Sequence, residues 1–367
     1  MSGQPLSFRS FQVMTFACLS AVLTSSWPAL KGDASQVAIA RPAENPPASS
    51  SLVRRLAQAE SLEQLQARID QLSQQGQYSE AIPLAEQVLE RRKQQLGTQH
   101  SSVATSLNKL ALLYEKQGRY GDAEPLFEQA LAIYKKRFGQ EHAAVATSLN
   151  NLAELYGKRG RYTEAESLFK QALEIYRQQL GQDHINVAYS LNNLAELYGQ
   201  QGRYREAEPL HTQALEIKRK QLGQEHRSIA TSLNNLAELY GKQGRYEEAE
   251  PLFKQALTMR KELLGQEHPS VATSLNNLAE LYGKQQKYEE AESLFKQALE
   301  MRQELLGQEH PSVAISLSNL AALYGSQGNY KEAKSLYQEA IAIAKIKLGP
   351  THPTTQVIQR RFKILSQ

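Results

Sequence analysis

Seven histidines, His100, His142, His184, His226, His268, His310 and His352, stand 42 residues apart without a slip. Each closes the same phrase, LGQEH in three copies and a close variant of it in the others. A fixed period of this length marks a tandem array, in which one supersecondary unit is copied and each copy buries its apolar face against the next. It also moves the functional question. Binding in such an array belongs to a column of equivalent residues on one surface, not to a pocket with a few special side chains.

The copy spanning residues 143–184 shows what the unit is. Val145, Leu149, Leu152, Ala153 and Tyr156 fall on one helical stripe. Gly160 follows, where a residue without Cβ can take the left-handed conformation that ends a helix. Ala165, Leu168, Phe169, Ala172, Leu173, Ile175, Tyr176 and Leu180 then form a second amphipathic stripe, stopped by Gly181. Glu164 and Glu166 in its first turn and Arg177 near its last suit the helix dipole. The unit is therefore helix, tight turn, helix, short loop. The small residues Ala153, Ala165 and Ala172 let helices approach closely.

The pattern Leu149, Leu152, Ala153, Tyr156, Ala165, Phe169, Ala172 resembles the tetratricopeptide repeat. The 42-residue form, with LNNLA, QGRYEEAEPLFKQAL and LGQEHPSVA, resembles the repeats of kinesin light chains and their bacterial relatives. The resemblance runs from about residue 62 to 366. It implies an all-α, right-handed superhelical solenoid whose first helices line a concave groove for protein or peptide partners. A heptad-rich stalk of the kinesin light-chain kind is not seen, so a motor role is not carried over.

Along the chain, a degenerate copy covers Leu62 to His100. Regular copies start at Ser101, Ala143, Ile185, Arg227 and Pro269, and a drifting copy starts at Pro311. Residues 353–367 read as a capping helix. The array is expected over 61–367 as seven helix pairs plus that cap, with atypical ends because terminal units face water. Residues 1–40 read as a signal peptide or a disordered N-terminal segment, and 41–60 as a Pro/Ser-rich linker. The apolar run Val13–Leu23 is too short for a membrane span, which needs ~20 residues, but suits a signal-peptide core, with Ala38-Ile39-Ala40 as a cleavage pattern. It points to export, periplasmic or extracellular; the alternative is a cytoplasmic protein with a free tail. No stable membrane span is expected. Cys18 is the sole cysteine, so the array holds no disulfide. The 42 basic and 38 acidic residues are spread along the chain, which argues against nucleic acid as a partner.

The histidine column does not suit a metal, because neighbouring copies lie on the order of 10 Å apart, whereas zinc needs ligands within ~2.1 Å of one point. The expectation is no metal and no cofactor. Each histidine instead packs in the loop between repeats, and Pro269, Pro311 and Pro353 fit helix starts. His211, off register, replaces the aromatic seen as Phe169 and Phe253 and reads as a core substitution.

Asn108, Asn150, Asn192, Asn234 and Asn276 recur on the first helices. Asn150 lies ~100° from Leu149 on the helical wheel and shares a polar face with Thr147, Glu154 and Lys158. An amide both donates and accepts, so such a ladder can pair with a peptide backbone whatever its side chains. The resemblance implies that role for these positions. The other role open to them is bonding between helices to fix repeat stacking. The adjacent column, Asn151, Asn193, Asn235, Asn277 and Asn319, reads as structural or solvated. Glu154, Glu238 and Glu280 precede Lys158, Lys242 and Lys284 by four residues, the favourable order for a helical ion pair. Paired carboxylates in a cleft, a nucleophile elbow and a phosphate-binding glycine loop are all missing, so an enzyme is not expected. Gln286-Lys287 stands where other copies have Gly-Arg, which predicts a strained or altered turn there.

The residues read as a non-enzymatic scaffold binding extended or helical segments of a partner protein. The alternative is a structural or assembly protein of the cell envelope acting through self-association or helix-face packing.

Overall fold

The computed structural model describes residues 60–366. The signal-peptide and linker readings lie outside them. Among the described residues there are fifteen helices. The first helices of successive pairs are α1 (Leu62–Gln74), α3 (Ser101–Lys116), α5 (Ala143–Lys158), α7 (Ile185–Gln200), α9 (Arg227–Lys242), α11 (Pro269–Lys284) and α13 (Pro311–Ser326). Their partners are α2 (Tyr78–Leu96), α4 (Tyr120–Phe138), α6 (Tyr162–Leu180), α8 (Tyr204–Leu222), α10 (Tyr246–Leu264), α12 (Tyr288–Leu306) and α14 (Tyr330–Lys347). A last helix, α15 (Pro353–Leu365), closes the array. None of these helices is long and apolar enough to cross a membrane.

Most of the apolar stripe forms the core, but of the predicted second-helix positions Leu168 and Ile175 are half-buried and Leu180, at the helix end, is exposed. Val145, Leu149, Leu152, Ala153 and Tyr156 are all buried, as are Ala165, Phe169 and Ala172. Ala153, Ala165 and Ala172 have no exposed surface at all, because each sits where two helices cross. A further small-residue column sets the spacing between repeats. A methyl group placed on Gly157 would come within 3.2 Å of Leu197 Cδ1 in the next repeat. In the second repeat Glu115 occupies that column. It is buried, and Lys158 of the next first helix bonds its carboxylate. Burial pushes the Glu115 carboxyl up, against the pull of Lys158.

Each histidine of the 42-residue column is a helix N-cap: six cap the first helices α3 to α13 and His352 caps α15. All seven have extended backbone, and each Nδ1 accepts the N–H two residues on. An acceptor Nδ1 places the proton of the neutral ring on Nε2. The imidazole thus does the capping work usually left to Ser, Asp or Asn.

A second clasp joins neighbouring repeats. Arg203 lies over the Tyr198 ring, 3.9 Å to its centroid, and bonds Glu166 of the preceding pair at 2.6 Å. Arg245 repeats this over Tyr240 with Glu208. Tyr198 and Tyr240 donate their hydroxyls to the same glutamates. The arrangement combines a cation–π contact with charge-assisted bonds.

Consecutive first helices from α3 onward touch one another directly, and second helices stay apart. The first helices are therefore the inner layer of the curve. The curve closes on itself. His310 Nε2 lies 3.4 Å from the Gln74 carbonyl, and His352 Nε2 lies 3.1 Å from the Lys116 carbonyl, both pairs 236 residues apart. A methyl group on Gly76 would stand 2.9 Å from Pro311 Cδ, and one on Gly118 would stand 2.6 Å from Pro353 Cδ. Six repeats complete one superhelical turn, and the next coil rests on the first.

Candidate functional site

The inner layer is where a column of side chains can act together. Asn108, Asn150, Asn192, Asn234 and Asn276 are all buried. The structure places them between repeats and not on the open face. Asn150 Nδ2 donates to Ser190 Oγ at 2.8 Å, Asn192 to Ser232 at 3.2 Å and Asn108 to Ser148 at 3.5 Å, each into the next repeat. Asn234 accepts from Asn277, and Asn276 donates to Glu280. Thr147 is also engaged within the array, bonding the Tyr176 hydroxyl at 2.6 Å and the Ala143 carbonyl. Of the two roles open to the ladder, the contacts are those of repeat stacking.

The neighbouring amides occupy the inner surface instead. Asn151, Asn193, Asn235 and Asn277 are half-buried. Asn277 spends its amide on Asn234, and Asn319 spends its own on Asn276 and Glu280. Asn151, Asn193 and Asn235 keep theirs free. One residue of difference is a ~100° rotation, which separates the inter-repeat seam from the open face. The i+3 spacing from Asn151 to exposed Glu154, repeated at Asn193 and Glu196 and at Asn235 and Glu238, was the signal for this second column.

The glutamates stand beside those amides. Lys158 pairs with Glu154 at 2.6 Å and Lys242 with Glu238 at 2.8 Å. Burial works against the charge of Lys158, but Glu154 and Glu115 together hold its pKa above the ordinary value. The expected Glu280–Lys284 pair is not the main contact, since Glu280 accepts from Asn276 and Asn319 instead. Glu196 has Gln200 where its siblings have lysine. Solvent reaches Glu196, but the surrounding protein limits its hydration. That desolvation, with Glu154 and Glu238 on either side, raises its pKa. The inner face therefore offers three free amides and one carboxylate without a fixed cation.

Behind this face lies a polar island. His211 is 3% exposed and Lys218 is 2% exposed. His211 Nδ1 bonds Asn192 Oδ1 at 3.0 Å, Asn192 donates to Ser232, and Lys218 Nζ donates to the same Ser232 Oγ at 2.8 Å. Lys218 also lies over the Tyr189 ring. His211 fills the aromatic position, as a core substitution should. Burial, aided by nearby Lys218, pushes its pKa down to about 4. Burial alone pushes Lys218 down to about 8. Among the described residues no group of His, Cys, Asp and Glu could hold a metal ion.

The comparisons with known proteins agree with the architecture. A family profile described as tetratricopeptide repeat matches residues 61–136, 144–220, 228–304 and 272–346, and a second of the same description matches 108–179 and 192–261. The chain belongs to the tetratricopeptide repeat family. Proteins of this family mediate protein–protein interactions. No curated protein matches the chain. Among solved structures it is similar to a kinesin light chain with nearly identical TPR-like repeats from Podosopora anserina, at 32% identity over 56% of this chain and 97% of that one, TM-score 0.47. It is also similar to BtubC (BKLC) from P. vanneervenii, at 24% identity over 68% and 94%, TM-score 0.49. The Rap protein complexed with competence and sporulation factor is similar at 17% identity over 86% and 90%, TM-score 0.54.

Proposed function

We propose that this chain is a non-enzymatic interaction scaffold that holds an extended peptide segment of a partner protein against the inner face of its third to fifth repeats. The observation that carries the reading is the strip Asn151, Asn193 and Asn235, half-exposed and without intramolecular partners, alongside Glu154, Glu196 and Glu238. Each free amide can donate to a peptide C=O and accept from a peptide N–H. Glu196, unmatched by a cation of its own repeat, favours a lysine or arginine in the ligand. The later repeats are less suited, because Asn277 is already bonded to Asn234, and Asn319 to Asn276 and Glu280. The Rap protein, which shares the fold, was solved as a complex with competence and sporulation factor. Export through the apolar run Val13–Leu23 belongs to the same proposal.

The test is selection from a random-peptide display library on the immobilised full chain. Basic extended peptides are expected to enrich on the parent. The triple variant Asn151→Ala, Asn193→Ala, Asn235→Ala should lose them while keeping the parent melting temperature. Equal retention by the folded variant would remove the inner strip from the binding surface. The alternative, assembly by self-association, draws on a different feature, the contact between superhelical coils.

A further inference from the structure

The coil-to-coil contact joins two unlike edges of the array. One edge carries the histidine caps at the starts of first helices. The other carries the turns that follow the same helices. Within the chain the caps of the seventh repeat and of α15 meet the turns of the first and second repeats. The chemistry of the contact is complementary. Capping fixes Nδ1 as an acceptor, so Nε2–H is the free donor of each neutral ring. The carbonyls of Gln74 and Lys116 belong to the last turns of α1 and α3, which leave acceptors without helical partners. Gly76 is buried and Gly118 is half-buried under the facing prolines.

Both edges run on beyond this contact. Gly160, Gly202 and Gly244 are exposed, with nothing near the place a Cβ would take. The Lys158, Gln200 and Lys242 carbonyls, equivalent to those of Gln74 and Lys116, accept no bond across a turn. On the other edge His142 is exposed and His184 and His226 are half-buried, each with a capped Nδ1 and no bond at Nε2. The tips beside these caps are acidic, with Glu141 and Glu225 exposed, and Lys158 and Lys242 precede the open glycines.

We propose that these two edges bind one another between molecules, so that a second copy of this chain stacks coaxially and continues the superhelix. The 42-residue period makes the match cooperative. A single displacement along the axis sets several His–carbonyl pairs at once, and weak contacts on one rigid frame act together. The interface is heterologous, one edge against the other, so it extends into chains of subunits and does not close as a symmetric dimer. Among the open turns Gln286 alone carries a side chain, and Ala143, Ile185 and Arg227 replace the proline that follows His310 and His352. The association is therefore weaker per pair than the contact inside the chain.

Sedimentation velocity on the full chain at rising concentration tests this. The parent should show a sedimentation coefficient that climbs with concentration. The variant Gly160→Asn, Gly202→Asn, Gly244→Asn should stay monomeric with parent-like helicity, because asparagine tolerates the left-handed turn but fills the space the caps need. The variant His142→Asn, His184→Asn, His226→Asn keeps its helix caps, loses the Nε2 donors and should also stay monomeric. An equimolar mixture of the two variants should recover a dimer, since each retains one intact edge. A parent that stays monomeric throughout, self-association that survives both variants, or a mixture that remains monomeric would overturn the proposal. Neither edge variant should alter peptide retention, so this interface and the inner strip are tested separately.

Discussion

His211→Phe should remove a built-in acid sensitivity from the array. His211 sits where Phe169 and Phe253 pack in sibling repeats, and it stays neutral in the fold because burial, aided by Lys218, pushes its pKa from 6.5 to about 4. The folded value is below the unfolded one, so the neutral ring contributes its stability above pH 6.5 and loses it as pH falls toward 4. pH 5 lies 1.5 units below the pKa of the unfolded histidine, while the buried ring, with its pKa near 4, stays largely neutral. At ~1.4 kcal/mol per unit, acidification from pH 7.5 to 5 costs the parent about 2 kcal/mol at this one residue. Other histidines titrate in the same direction, since burial also lowers His226, His268, His310 and His352, but they are common to both proteins. The difference between parent and variant isolates His211. Phenylalanine leaves Asn192 Oδ1 without a partner, a state that Asn150 Oδ1 already tolerates in the third repeat. The measurements are melting temperature from pH 7.5 to 5 and amide exchange across α7 to α9 at both ends of that range. A loss of about 2 kcal/mol corresponds to roughly 3 °C for an array of this size. The parent should lose that much more than His211→Phe, with the extra exchange confined to these helices. Parallel pH profiles for the two proteins would refute the reasoning.

Three further outcomes are expected. Gln286→Gly should stabilise the protein by roughly 0.5–1 kcal/mol, because Gln286 is the only described non-glycine residue at positive φ, +61°. The relief of ~1–2 kcal/mol of left-handed strain is offset by ~0.4–1 kcal/mol of added freedom in the unfolded chain, and a urea midpoint measures the balance. Lys158→Met should cost about 3 kcal/mol at neutral pH by stranding the buried Glu115 carboxylate, and the double variant with Glu115→Gly should recover most of it in the same titration. Gly118→Asn should disturb the coil contact where Gly160→Asn does not, because only the first meets Pro353; increased hydrogen exchange at the start of α15 in the first variant alone would show it.

The repeat unit was readable from the chain because the 42-residue period, the stripe through Val145 and Tyr156, and the turn glycines all encode local geometry. Gln286 was legible for the same reason: it breaks a column whose backbone demands a glycine. The site was less legible. Adjacent asparagines in the phrase LNNLA differ only by one helical step, and the face that each meets depends on how repeats pack. The polar island was visible only as three simultaneous departures, Tyr189 for Thr147, His211 for Phe169 and Lys218 for Tyr176, whose columns meet in space and not along the chain. The coil contact was hidden altogether. Its 236-residue separation is not a multiple of the period, so no comparison of equivalent columns exposes it.

That contact changes how the molecule can come apart. A linear stack of repeats frays from its two ends, because each terminal unit has a single neighbour. Here the first two repeats lie against the seventh and α15, so the units with the fewest sequential neighbours gain one from the adjoining coil. The structure behaves as a spring whose turns already touch. Parting these two small seams opens the coil without breaking any helix's own hydrogen bonds.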